Sequence, residues 1–397
     1  MKCFYLKDFA SQRIQAGEKL IRLEDFEAPD DIKDAPEGMI ISITDRSHNF
    51  KGQAFVGRQN KGFAWVFSLN LEDLWSKELF SIYFQEAVER RQSLLDDPTT
   101  TGFRLFNGEG DGLGGISIDW YDHFIQINWY SKGAYEYRDW WLEILLESPL
   151  EVAGIYETKR FPIGDSEKAM GHVTGKEAQQ PLIIKEQNRK YAIYLGQDWM
   201  TGLFFDQREV RQYIQEQAKG LSVLNLFSYT GAFSVAASLG GASNTISVDV
   251  ANRSLELTKE NFLINQLDAD NLSNEIRIMD VFDYIDYVKR SSKDFDMVVC
   301  DPPSFARTKR YVFSALTDYI KMAKDLFKIT KAGGLCVLST NHSAYSKDKF
   351  IEDMNEAGRL SGKKVQLIQS FRLPEDYPSS VDPTSQYLTV LVYYCSE

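Results

Sequence analysis

The chain is short of the residues that mark a metal site or a disulfide framework. It holds four cysteines, Cys3, Cys300, Cys336 and Cys395, in 397 residues, and none belongs to a C-x-x-C pair. Neither zinc nor a disulfide scaffold is suggested, and reduced thiols are the expected state. The four histidines, His48, His123, His172 and His342, are scattered without ligand spacing, so no metal is expected. No apolar run approaches the ~20 residues of a membrane span, and no membrane partner is expected. The stretch MKCFYLKDFA lacks an apolar signal core. Basic residues are outnumbered, 45 against 57, for a net charge of −12. That balance argues against a coat of nucleic acid but leaves room for a local basic groove. With 43% hydrophobic and 26% charged residues, disorder is not expected. The expectation is a soluble cytoplasmic protein of two or three domains.

What is present falls into three regions. Residues 1–72 carry short β-rich runs, Lys19–Leu23, Met39–Ile43, Gln53–Val56 and Phe63–Phe67, with Gly38, Gly52, Gly57 and Gly62 between them. That pattern predicts a small β-barrel. Residues 73–190 begin with a predicted helix over 74–95, whose apolar residues recur at spacings of three and four. A small α+β domain follows. Its strands are predicted over Gly115–Asp119, Phe124–Trp129 and Val152–Tyr156, its helix over Tyr135–Leu146, and a hairpin over Leu182–Leu195. Residues 191–397 alternate strand and helix, which predicts a Rossmann-like, doubly wound α/β sheet of seven strands. The last strand follows a loop with Pro374, Pro378 and Pro383, too irregular for a crossover helix, so it should run antiparallel.

Two glycine-bearing turns compete as ligand loops. Gly110, Gly112 and Gly115 make a formal G-x-G-x-x-G, but a strand follows and Glu109 and Asp111 would repel a pyrophosphate. The motif needs a strand before it and a helix after it, so a tight turn is the better reading. The second loop, Asn225-Leu226-Phe227-Ser228-Tyr229-Thr230-Gly231, has that context but one glycine and a tyrosine. It is too bulky for a phosphate cradle. S-adenosylmethionine (SAM), which has no phosphates, would fit it; taken alone the loop is equally any strand-to-helix turn.

Three acids sharpen the choice, because ligands of open α/β sheets bind beyond the carboxyl ends of the strands. Asp249 ends the second strand of the sheet, where a carboxylate can hold a ribose diol; its bland alternative is a helix cap. Asp280 ends the third, where an adenine amino group could be held. Asp301-Pro302-Pro303-Ser304-Phe305 follows the fourth, after the apolar run Met297–Cys300. Its prolines fix φ and remove N–H donors, leaving acceptors and the Phe305 face for a flat base. The competing reading is a rigid proline turn with a capping acid.

Together these segments resemble class I SAM-dependent methyltransferases and, more narrowly, the RlmI-like family of 23S ribosomal RNA cytosine-C5 methyltransferases. Phe103-Arg104-Leu105 and Gly115–Asp119 match that family's central domain, Thr201–Arg208 the lead into its catalytic domain, and residues 1–72 occupy the place of its PUA-like RNA-binding barrel. The resemblance implies SAM as cofactor, held by Phe205, Gln207, Asn225, Phe227, Ser228, Tyr229, Gly231, Asp249, Asp280 and Asp301. It implies ribosomal RNA as partner, with a homodimer compatible. Asp301 and Pro302 would act at the target base, and Phe305, Arg307, Lys309 and Arg310 would bind RNA. Ordinary solvated charge is the alternative for the three basic residues.

One departure bears on the chemistry. Cytosine C5 is activated by a cysteine thiolate adding to C6. The family's cysteine follows the fifth strand, and counting from Gly334 that position holds Asn341. The guanine-N7 half of a bifunctional 23S ribosomal RNA methyltransferase, which the chain resembles through Asp301-Pro302-Pro303 and Lys309-Arg310, also carries an asparagine near that position. A base nitrogen such as guanine N7 therefore competes with cytosine C5 as acceptor, and Asn341 joins Asp301 and Pro302 as a catalytic candidate. A methylase of small molecules or proteins, and a silent RNA-binding protein, are the other classes left open.

Overall fold

The computed structural model describes residues 2–49, 51–268, 273–307 and 311–397. Its backbone packs into two compact units. The first is 1–184, 193–201 and 375–385; the second is 185–192, 202–374 and 386–397.

In the first unit, a five-stranded sheet has the order Lys2–Tyr5, Ile40–Thr44, Lys51–Gln59, Gly62–Ser68, Leu20–Arg22. The four predicted runs are all strands. The strand Lys2–Tyr5, parallel to Ile40–Thr44, and the helix Asp8–Gln15 have no counterpart in the sequence reading. Both are short, and the strand buries only Phe4, so neither has a readable period. The predicted helix 74–95 is two pieces. It starts at Lys77, where Ser76 accepts from the Leu79 N–H, and breaks after Arg90. The break is at Arg91, which is buried and directs its guanidinium to Asp111 and to the carbonyls of Ala87, Arg104 and Asp376.

A second five-stranded sheet follows in the order Met170–Gly175, Gly154–Lys159, Phe124–Trp129, Ile116–Tyr121, Gly102–Phe106. Asp122 and His123, between the predicted strands Gly115–Asp119 and Phe124–Trp129, both have positive φ. The glycine cluster is a turn, as its chemistry required. Gly108–Asp111 is one 3-10 turn, Gly112 has φ +108°, and the strand Ile116–Tyr121 comes next. Asp111 is buried against Arg90 and Arg91, which leaves no place for a pyrophosphate.

The second unit is a seven-stranded sheet. In chain order its strands are Ser222–Leu226, Asn244–Asp249, Asn274–Ile278, Phe295–Cys300, Thr330–Thr340, Lys364–Phe371 and Thr389–Ser396, and they lie side by side in the order 3-2-1-4-5-7-6. The first five are mutually parallel; the seventh is antiparallel to both the fifth and the sixth. Apolar side chains cover both faces. Leu224, Leu226, Ile246, Val298 and Leu338 pack into one core, and Val223, Met297, Val299, Val337 and Val390 into the other. Two-sided burial explains why the central strands read as apolar runs rather than alternating ones. Each fully buried aliphatic side chain contributes about 1.5–3 kcal/mol, which fixes the strand ends as a rigid rim. Among the described residues, no helix is long and apolar enough to cross a membrane.

Candidate functional site

The first strand ends at Leu226 and the chain then folds back sharply. Phe227 (φ +57°), Tyr229 (φ +50°) and Gly231 (φ +74°) are all left-handed. Two of the three are not glycine, and each such residue costs about 1–3 kcal/mol, a strain that collects at functional sites. Gly231 has a steric reason as well: a Cβ there would meet the Thr258 methyl at 2.4 Å. Three backbone donors of the loop are engaged within the fold. Ser228 N donates to Val248 O at 3.0 Å, Gly231 N to Ser228 O at 2.8 Å, and Tyr229 N to Asp249 Oδ2 at 2.8 Å. A phosphate cradle needs those N–H groups free, so the loop is built for a ligand without phosphates.

Asp249 is fixed by a second backbone donor, Ala251 N at 2.9 Å to Oδ1. It closes the loop onto the second strand and caps no helix, since the next helix starts at Arg253 behind Asn252. Its oxygens retain lone pairs for a diol. Asp280 is the N-cap of the helix Val281–Ser291, accepting from Phe282 N at 2.9 Å through Oδ1. Asp249 and Asp280 are adjacent at the rim, because Met279 N donates to Asp249 O at 2.9 Å.

Asp301 lies at the end of the fourth strand in a polar knot. Ser339, on the fifth strand, donates its hydroxyl to Oδ1, and Gln207 Nε2 donates to Oδ2 at 3.2 Å and to Ser339 Oγ at 3.0 Å. Burial pushes the Asp301 carboxyl up to about 6; repulsion from Asp206 adds to this, and the bonds from Ser339 and Gln207 oppose it. Gln207 belongs to the 3-10 turn Phe205–Gln207, whose Phe205 is buried. The turn is anchored at Phe204, whose carbonyl accepts from Arg211 Nη2 at 2.8 Å.

Three buried side-chain oxygens along this rim, Gln207 Oε1, Asn225 Oδ1 and Ser228 Oγ, have no partner among the described residues. Asn225 lies wholly buried beneath the loop, donating to Ser234 Oγ at 3.0 Å. Orphaned polar atoms are rare in a packed interior and point to a missing ligand or water. They suit a polar, phosphate-free nucleoside.

Beyond Asp301, Pro302 is buried while Pro303 and Phe305 are open, Phe305 at 60%. Phe305 and Arg307 stand on a two-stranded ribbon, Phe305–Arg307 with Val312–Ser314, that the sequence reading did not anticipate. Lys309 and Arg310 lie outside the described residues. Asn341 is exposed just past the fifth strand, where Ser304 donates its hydroxyl to Asn341 Oδ1 at 2.6 Å. The proline loop and Asn341 thus share one hydrogen bond. Ser339 and Ser304 are the residues sequence reasoning missed. Ser339 was signalled by its place at a strand end, in register with the strand that delivers Asp301.

The three thiols of this unit, Cys300, Cys336 and Cys395, are buried, and burial raises each above the ordinary thiol range. Cys3 is exposed but belongs to the first unit.

Comparison with known proteins matches residues 165–393 to a family of S-adenosylmethionine-dependent methyltransferases and residues 4–69 to a PUA-like domain. The chain is 41% identical over 99% of its length, and 99% of the relative's, to the "Putative ribosomal RNA large subunit methyltransferase YwbD" of Bacillus subtilis. It is 29% identical to "Ribosomal RNA large subunit methyltransferase I" of Yersinia pseudotuberculosis, over 87% of each chain. Among solved structures, "a putative methyltransferase complexed with SAH" superposes with a TM-score of 0.91 at 33% identity, covering 99% of this chain and 100% of the other.

Proposed function

Since the chain belongs to the family of S-adenosylmethionine-dependent methyltransferases and takes SAM as its cofactor, we propose that it methylates a base of large-subunit ribosomal RNA, and that the acceptor is guanine N7 rather than cytosine C5. The names of its relatives and its PUA-like domain support RNA as substrate. SAM supplies an electrophilic methyl group on a sulfonium.

The observation that carries the choice of atom is the pairing of Asn341 with three inaccessible thiols. C5 methylation needs a thiolate beside the base. In this unit every cysteine is buried and held neutral. Guanine N7 has an available lone pair and needs only orientation and exclusion of water. Asn341 accepts from the Ser304 hydroxyl at Oδ1 and keeps both Nδ2 protons. Those protons can donate to guanine O6, beside N7 on the same edge. Phe305 offers the stacking face, and Arg307, Lys309 and Arg310 meet phosphates. Asp249 holds the ribose of the cofactor, Asp280 its adenine, and the loop from Asn225 to Gly231 with Gln207 its amino-acid end. Asp301 and Pro302 order the edge of the base.

The test is mass mapping of ribosomal RNA from a strain lacking the gene, with restoration by the purified protein and SAM. Loss and restoration of one 7-methylguanine is expected. A lost 5-methylcytosine would replace guanine by cytosine, and an unchanged pattern would remove ribosomal RNA from the assignment.

A further inference from the structure

Within the first unit, an exposed tryptophan is packed on an arginine that makes no direct ion pair among the described residues. Trp199 lies in the short segment 193–201 and keeps 47% of its surface open. The Arg160 guanidinium is 5.9 Å from the Trp199 ring centroid and 5.8 Å from that of Tyr130. At these distances a cation is held by the ring quadrupoles.

The arginine is not a loose surface charge. Its backbone N–H donates to Trp129 O at 2.7 Å, Nε donates to Asn128 Oδ1 at 3.2 Å, and Nη2 donates to the Trp199 carbonyl. Asn128 is nearly buried and is itself fixed, its Nδ2 donating to Asp119 Oδ2 at 3.3 Å, while Arg104 Nε holds Asp119 Oδ1 at 2.6 Å. The tryptophan segment is tethered at its end by Thr201, whose hydroxyl bonds the Tyr121 hydroxyl at 2.8 Å. Every side-chain partner of Arg160 is therefore neutral. Among the described residues no carboxylate comes within ion-pair distance of it, unlike Arg104 and Arg138 in the same unit. A fixed aromatic plane and a fixed cation with no carboxylate in direct contact stand side by side at the surface.

We infer that Trp199 and Arg160 form a stacking site for one unpaired nucleotide of the RNA, with the base on the open face of the indole and its phosphate on the guanidinium. This rests on the reading of RNA as substrate. The chemistry fits a nucleotide better than a peptide. A purine or pyrimidine matches the indole in area and stacks on it regardless of sequence, and a planar guanidinium meets phosphate oxygens through paired N–H donors. The preorganised relay from Asp119 through Asn128 means that little side-chain freedom is lost when the nucleotide docks.

The test uses the full chain and two probes, an unstructured purine-rich RNA oligomer and the 23S ribosomal RNA of a strain lacking the gene. Binding is measured by anisotropy across a salt series, for wild type, W199A, W199F and R160Q. W199A should weaken binding of the oligomer about tenfold or more, and W199F should restore most of it. R160Q should weaken binding and reduce the slope against log salt by about one. Affinity for SAM, measured by calorimetry, should be unchanged in all three, which separates the effect from misfolding. If W199A and R160Q bind RNA as wild type does, the stacking site is wrong and the RNA reading stands. If wild type binds and methylates neither RNA while still binding SAM, the RNA reading falls and takes this site with it.

Discussion

At the scale of single residues, Asp280 and Asp301 each carry a structural duty, the proposed function gives each a chemical one, and substitution can separate the two. Asparagine caps helices about as well as aspartate, whereas alanine loses about 1 kcal/mol. D280N should therefore unfold at the wild-type urea midpoint but bind SAM more weakly, and D280A should lose both. If D280N binds SAM as wild type does, the adenine role is wrong and the cap is the whole duty. Asp301 is raised from the carboxylate range to about 6. A raised pKa favours the fold while the group is protonated. That contribution is full below about pH 4 and is lost as the pH climbs through 6. D301N should thus match or exceed wild-type stability at pH 8 and gain nothing at pH 4, as measured by urea unfolding. Methyl transfer should show the reverse demand, falling below pH 6 as Asp301 protonates, and D301N should lack that inflection. For Asn341, N341A should lower kcat/KM on RNA about tenfold or more, as expected for removing donors to one base edge, without changing SAM affinity.

At the scale of elements, the anchor of the Gln207 turn is a buried ion-pair cluster. Glu186 is fully buried; Arg211 meets it through Nε at 2.7 Å and Nη2 at 2.6 Å, and Arg189 Nη2 donates to Glu186 Oε1 at 3.1 Å. The arginines hold the Glu186 carboxyl below its ordinary value against the opposing pull of burial. R211M leaves that carboxylate with Arg189 as its remaining direct partner and should cost about 3 kcal/mol in urea unfolding. It also frees the Phe204 carbonyl, so the turn that delivers Gln207 to Asp301 should loosen and KM for SAM should rise. The cluster was not legible in the sequence, because Glu186 sits beside an expected hairpin turn and looks solvated there. The central strands of the catalytic sheet were legible, since burial on both faces leaves short apolar runs between helices. So were the three acids at the strand ends, where topology alone dictates position. The knot around Asp301 was half legible. Gln207 entered through family resemblance, but Ser339 closes it from a strand about 40 residues downstream, a pairing that register decides and spacing cannot. The ribbon carrying Phe305 was hidden for another reason: three-residue strands have no period to detect.

At the scale of the whole molecule, the units are not consecutive lengths of chain. The segment 375–385, which lies between the sixth and seventh strands of the catalytic sheet, belongs to the first unit. There Asp376 accepts from the Arg104 backbone N–H at 3.0 Å, its carbonyl accepts from buried Arg91 at 2.8 Å, and Tyr377 lies under the Arg104 guanidinium. A fragment of residues 1–201 would leave those donors without acceptors, at about 1–3 kcal/mol for each buried group. It should unfold at lower urea than the same unit in the intact chain, and a synthetic peptide of residues 375–385 should recover part of the loss. If the fragment alone matches the intact chain, the segment is a passive strap. This interleaving constrains descent as well as folding. A recombination event that exchanged the catalytic half between two relatives would carry off part of the other half's interior. The two units must then be inherited together, and a change of target has to arise by substitution within the chain rather than by trading modules.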